Sequence, residues 1–107
     1  MLSKLVCIVA FMSVLSVSYA GIGVKMVANG FERPLWVGVV EEIPGKIWVV
    51  EQGGQIWIVD ETSGERETQP FLDIRKEVTR KGNEEGLLGL AFSPDFMKSG
   101  RYYVNYT

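Results

Sequence analysis

The chain has 107 residues, a formal net charge of −2, no histidine and one cysteine. Without histidine, this stretch cannot supply histidine-dependent catalytic triads, imidazole bases or histidine metal ligands. The near-balanced, mildly acidic charge gives no basic stripe of the kind that binds a nucleic-acid backbone, so we predict no nucleic-acid partner.

Residues 1–20 have the pattern of a secretory signal peptide. Lys4 carries the only charge, residues 5–17 form an apolar run broken only by serines, and Ser18 and Ala20 are the small residues that a signal peptidase requires. The pattern predicts a signal-peptide helix, cleavage after Ala20 and a secreted or periplasmic protein. The alternative is a membrane anchor, but a spanning helix needs about 20 predominantly apolar residues and this run is shorter. We therefore predict no stable membrane span after cleavage.

The only cysteine, Cys7, lies within the predicted signal peptide. The remaining residues, 21–107, therefore contain no disulfide, thiol nucleophile or thiolate metal site. Burial of apolar surface has to stabilise this part of the chain.

After residue 20, short β-rich runs alternate with turn signals at intervals of about ten residues, which is typical of an all-β protein. Helical periodicity is missing. We predict strands over residues 23–28, 35–40, 46–51, 55–59, 66–72, 87–92 and 101–107, with a polar surface loop over 73–86.

Residues 35–72 are predicted to form a four-stranded meander with two apolar central strands. This gradient from apolar to polar strands is typical of a β-propeller blade, and residues 87–107 supply the first strands of a second blade. Propellers close with about four to eight blades, so we expect residues 21–107 to be the truncated N-terminal part of a propeller domain. The alternative is a small curled sheet that is stable alone.

Three tryptophans, Trp36, Trp48 and Trp57, fall on successive predicted strands. Tryptophan contributes a large apolar area, so we interpret them as packing within or between blades. The alternative is a platform on which sugars stack.

Two ordered motifs resemble a known family. The first is Ile-Trp-Val-Val-Glu-Gln-Gly-Gly-Gln-Ile at 47–56, and the second is Phe-Leu-Asp-Ile at 71–74 followed by Gly-Asn-Glu-Glu-Gly-Leu-Leu-Gly-Leu-Ala-Phe at 82–92. At this spacing the set resembles the glucose/sorbosone dehydrogenase family of soluble quinoprotein sugar dehydrogenase-like six-bladed β-propellers.

The resemblance implies a fragment of a secreted oxidoreductase that oxidises a sugar or related alcohol by hydride transfer to pyrroloquinoline quinone, held with calcium in the full-length protein. The family's catalytic, cofactor-binding and metal-binding residues would lie outside this chain, so we assign none here and expect no independent activity. The alternative is a non-catalytic secreted propeller of the hedgehog-interacting kind, which acts as a binding module.

The resemblance also suggests two substrate-contact residues, Glu84 and Glu85. Sugar-oxidising members have a glutamine shortly before the Gly-Leu-Leu-Gly strand, and Glu84 stands at the aligned position. A carboxylate can accept hydrogen bonds from sugar hydroxyls but cannot supply the amide donor. The alternative is that both glutamates are solvated loop carboxylates.

Overall fold

The computed structural model describes residues 21–107, and the predicted signal peptide over 1–20 lies outside the described residues. Six strands and one short helix follow one another along the described chain. They are β1 (Pro34–Gly38), β2 (Lys46–Glu51), β3 (Gln55–Asp60), β4 (Leu72–Asp73), β5 (Leu87–Phe92), α1 (Phe96–Ser99) and β6 (Tyr102–Tyr106).

The strands form two antiparallel sheets. Sheet A contains β1, β2, β3 and β4 in chain order, and sheet B contains β5 and β6. The central hairpin of sheet A is regular, because β2 and β3 pair from Lys46 opposite Asp60 to Glu51 opposite Gln55. The predicted all-β class and four-stranded meander are confirmed, and the arrangement is consistent with one propeller blade followed by the first strands of another.

The core lies between the two sheets. Because side chains alternate across a strand, Trp48 and Val50 of β2 share one face with Ile56 of β3. These side chains pack with Leu87 and Leu90 of β5, and all five are buried. Burial of the apolar face of sheet A against sheet B therefore holds the two units together.

One predicted strand is absent and another is shorter than predicted. Residues 23–28 form no strand, and the side chain of Val24 is fully exposed. The predicted strand over 66–72 is reduced to β4 and one isolated bridge, between Val59 and Arg66. Here the side chain of Arg66 turns onto the rings of Phe31 and Trp57, 4.1 Å and 4.9 Å from their centroids.

The predicted turn after β5 contains the single-turn helix α1. Gly100 ends it at a φ of 67°, and its N–H donates to the carbonyl of Phe96. A glycine at this position adopts the left-handed conformation without steric cost. The chain can therefore reverse direction and pair β6 with β5.

Strand direction brings three distant segments to one end of sheet A. In an antiparallel sheet, the start of β1, the β2–β3 turn and the end of β4 must lie at the same end. Residues 32–34, 51–55 and 73–86 therefore come together, although up to about 50 residues separate them. We call this region the loop end of sheet A.

Candidate functional site

Gln52 is the central residue of the loop end. Its side chain is only 6% exposed. Its Oε1 accepts a hydrogen bond from Arg33 Nε at 3.0 Å, and its Nε2 donates to the carbonyls of Asn83 at 2.7 Å and Glu85 at 3.1 Å. One buried amide therefore joins the residues before β1 to the loop that leads into β5.

The backbone of Gln52 repeats this connection. Its N–H donates to the carbonyl of Arg33, and its carbonyl accepts from Leu87 N–H at 2.8 Å. Arg33 has a φ of 46°, which is uncommon for a residue with a side chain. Its Nη2 also reaches Asn83 Oδ1 at 2.9 Å, so hydrogen bonds at both its backbone and its side chain hold this conformation.

Glu51 is a buried carboxylate with a structural role. It is 6% exposed. Its Oε2 accepts from the N–H of Glu32 at 2.6 Å and its Oε1 from Trp57 Nε1 at 3.0 Å. A buried carboxylate is tolerated when its oxygens are hydrogen-bonded in this way. These two hydrogen bonds join the residue before Arg33 and the indole of Trp57 to the end of β2.

A cavity of about 190 Å³ opens beside these residues. Its wall contains three arginines, two glutamates and the glycines of the β2–β3 turn. The wall residues that bear on function are Glu32, Arg33, Glu51, Gly53, Arg75 and Arg80.

Arg75 forms an ion pair with Asp73 across the end of β4. Its Nη2 lies 2.7 Å from Asp73 Oδ2 and its Nε lies 2.9 Å from Asp73 Oδ1. This two-point hydrogen bonding from Arg75 lowers the pKa of Asp73 from 3.8 to about 2. The pair is substantially exposed, because 62% of the Arg75 side chain and 34% of the Asp73 side chain remain accessible.

The two glutamates predicted as substrate contacts lie apart from the cavity wall. Glu84 is exposed. Glu85 folds back into its own loop, where its Oε2 accepts from Thr79 Oγ1 at 2.8 Å and from the N–H groups of Lys81 and Gly82. The hydrogen bond from Thr79, followed by those from the loop backbone, lowers the pKa of Glu85. Neither glutamate lines the 190 Å³ cavity, and their role as substrate contacts stays a prediction.

The residues that build this site were not predicted from the sequence. Arg33, Gln52, Arg75 and Arg80 lie in three segments that only the sheet topology brings together. One local signal was available at Gln52, because a polar side chain directly follows an apolar strand and precedes two glycines. Such a position places a polar group at the rim of a core, where it needs hydrogen-bonding partners.

Acid should destabilise the described fold. The folded-state pKa is lowered for Asp60, Asp73, Glu85 and Asp95. Each therefore contributes stability that is fully present above its unfolded pKa and is lost as the pH falls through its folded pKa. We expect the melting temperature to be constant down to about pH 5 and to fall steadily toward about pH 2, where Asp73 is half protonated.

Circular dichroism melts across this pH range test the expectation. The Asp73→Asn variant should lose less stability between about pH 4 and pH 2 than the parent, because it lacks the most strongly shifted carboxyl. A melting temperature that rises on acidification would contradict the assignment.

Within residues 21–107, no group of three or more His, Cys, Asp or Glu side chains is placed to hold a metal ion. The quinone and calcium that the resemblance implies stay a prediction for the full-length protein, and we assign no chemical step to either. Among residues 21–107 there is also no helix with the length and apolar character needed to span a membrane.

Comparison with known proteins shows a similarity to the same protein in two species. No protein-family profile matches the chain. The chain is 36% identical to Hedgehog-interacting protein of Homo sapiens and 37% identical to that of Mus musculus. Each alignment covers 78% of this chain, but the chain spans only 12% of the length of either relative. Over most of its residues, the chain is therefore similar to a short part of the Hedgehog-interacting proteins.

Proposed function

We propose that this chain is part of a secreted, non-catalytic β-propeller that binds a protein partner, and that the partner is a Hedgehog protein. The observation that carries the proposal is the 36% identity to Hedgehog-interacting protein over 78% of the chain. The names of the relatives describe an interaction with a protein, and they do not describe the oxidation of a sugar. The signal-peptide pattern supports secretion, because the partner would then be met outside the cell.

The structure of the loop end also favours binding. The carboxylates of Glu51 and Glu85 both accept internal hydrogen bonds that hold the loops in place, which is a structural role. The β2–β3 turn and the loop before β5 meet at the loop end of sheet A. Loops that a rigid sheet holds together in this way commonly carry protein-binding surfaces.

The proposal is tested with the protein secreted from cultured cells and captured on a sensor surface. We expect saturable binding of purified Hedgehog protein and no binding of a secreted control protein of similar charge. The same preparation is then mixed with calcium, pyrroloquinoline quinone and a panel of aldoses, and reduction of a dye is followed. We expect no reduction.

Dye reduction with any aldose, together with no Hedgehog binding, would overturn the proposal and support the dehydrogenase interpretation. Failure of both assays would also overturn it. Binding without dye reduction is the outcome that supports the binding module.

A further inference from the structure

The cavity at the loop end has more hydrogen-bond donors than its own residues use. Its wall carries three guanidinium groups and two carboxylates, so its formal charge is positive. Within residues 21–107, Arg33 uses only Nε and Nη2 as donors, and Arg75 likewise uses only Nε and Nη2 of its side chain. A guanidinium group has five N–H donors, so each retains donors that can bind an additional acceptor.

Two of the acceptor groups beside these donors, the carboxylate of Glu51 and the amide oxygen of Gln52, already accept internal hydrogen bonds. Both carboxylate oxygens of Glu51 accept internal hydrogen bonds, and Gln52 Oε1 accepts from Arg33. Arg80 donates from Nη1 to the carbonyl of Glu85 at 2.6 Å, which leaves its Nε and Nη2 without an acceptor in the described chain. The cavity is therefore suited to a group that brings acceptors and negative charge.

The backbone adds a donor at the same place. Gly53 lines the cavity, and no atom lies within 4 Å of the position that a Cβ would occupy. Its N–H donates to no acceptor within residues 21–107. A small anion can therefore approach this part of the backbone without meeting a side chain.

Asp73 shows how a carboxylate is held by Arg75, one of the three arginines of the cavity wall. It makes two charge-assisted hydrogen bonds with the guanidinium of Arg75, which is the arrangement that arginine provides for planar carboxylates. Asp73 and Arg75 are only two residues apart and remain exposed. Both partners remain in contact with solvent, so an incoming carboxylate can compete with Asp73 for Arg75 without first opening the core.

We propose that this cavity binds the carboxylate of an Asp or Glu side chain of the protein partner, with Arg75 as the principal ligand and Asp73 as an internal competitor. The inference rests on the proposed function for the source of that side chain. The carboxylate site itself depends only on Arg33, Arg75, Arg80 and the Gly53 N–H.

The first experiment uses a small probe and does not involve the protein partner. The secreted protein is labelled with ¹⁵N and titrated with N-acetylglutamate amide, and the Gly53 amide and arginine Nε–H signals are followed by NMR. We expect saturable shifts with this probe and none with N-acetylglutamine amide, which has the same shape without the charge.

Three variants then test the assignment. Asp73→Asn removes the competing charge but keeps an oxygen for the Arg75 backbone N–H, so the probe should bind about fivefold more tightly. Arg75→Gln should weaken binding about fivefold or more. Lys98→Gln in α1 removes the same charge outside the cavity wall and should leave binding unchanged. Circular dichroism confirms that each variant is folded.

The outcomes separate this inference from the proposed function. Equal shifts with both probes, or no change of affinity in both Asp73→Asn and Arg75→Gln, would overturn the carboxylate site even where Hedgehog protein binds. Selective binding of N-acetylglutamate amide with the expected variant effects supports the site, even where Hedgehog protein does not bind. If the protein binds both N-acetylglutamate amide and Hedgehog protein, Arg75→Gln should weaken Hedgehog binding and Asp73→Asn should strengthen it.

Discussion

Replacement of Gly86 by alanine is expected to destabilise the folded protein by about 3–5 kcal/mol. Gly86 has a φ of 134°, a conformation that residues with a Cβ rarely adopt. A Cβ at this position would also overlap the carbonyl oxygen of Gln52. That oxygen accepts the hydrogen bond from Leu87 N–H that links the β2–β3 turn to β5, so the backbone cannot move away without breaking the junction between the sheets.

Gly45→Ala is the matched control for this prediction. Gly45 also has a positive φ, 83°, but no atom lies within 4 Å of the position of its Cβ. Its replacement should therefore cost only the conformational strain, about 1–2 kcal/mol. Urea unfolding of the two variants measures both values. If the two variants lost the same free energy of unfolding, the overlap between the Cβ and the Gln52 carbonyl would be relieved without cost. The contact between Gly86 and Gln52 would then not hold the two sheets together.

The regular strands were predictable from the sequence because their signals are local. β2 and β5 occupy the predicted residues, 46–51 and 87–92. Each is a short run of apolar residues next to a glycine turn or a polar loop, which is enough to define a strand that is buried on at least one face.

The wrong predictions concern segments whose structure depends on partners. Residues 23–28 have the apolar alternation of a strand, but a strand requires hydrogen bonds to a neighbour, and none pairs with them in the described chain. Between Arg66 and β4, Pro70 lacks the N–H that a ladder needs. The stacking of Arg66 on Phe31 joins residues that are far apart in sequence, so no local pattern could reveal it.

The residues around Gln52 could not be predicted from the sequence for the same reason, and the role of Glu84 and Glu85 as substrate contacts stays a prediction. Glu84 and Glu85 were chosen by resemblance to a family position, whereas in the structure Gln52 accepts a hydrogen bond from Arg33, 19 positions away, and donates one to the carbonyl of Asn83, 31 positions away. Those distances in sequence follow from the order of the strands in sheet A. The predicted four-stranded meander is enough to place these loops at one end of sheet A. It does not determine which of their side chains are in contact.

The three tryptophans show how the same residue type takes different roles. The indole of Trp57 is half-buried on the opposite face of sheet A and donates to Glu51, whereas Trp48 lies between the sheets and is 2% exposed. Trp36 is half-buried against the same core. These environments confirm the packing interpretation for Trp36 and Trp48, and the hydrogen bond of Trp57 shows that its polar atom has a structural partner.

Trp48→Ala is expected to have the other large effect, a loss of about 3–5 kcal/mol. Its indole contacts Phe71 and Phe92 edge-on, at centroid distances of 6.1 Å and 5.3 Å. The first ring belongs to the segment before β4 and the second to β5, so this indole fills the space between sheets A and B. Alanine would remove these contacts and leave a cavity that a regular, hydrogen-bonded β2 cannot collapse to fill.

Trp48→Phe separates the packing role from the polar atom. Trp48 Nε1 is buried and has no hydrogen-bond partner among residues 21–107, and an unsatisfied buried donor costs about 1–3 kcal/mol. Phenylalanine keeps an aromatic ring against Phe71 and Phe92 while removing that donor. The loss in free energy of unfolding for Trp48→Phe should therefore be less than half of the loss for Trp48→Ala. Urea unfolding of the parent and both variants measures the difference. If phenylalanine proved as destabilising as alanine, an aromatic ring against Phe71 and Phe92 would not be what stabilises the contact between the sheets, and the packing role assigned to Trp48 would be wrong.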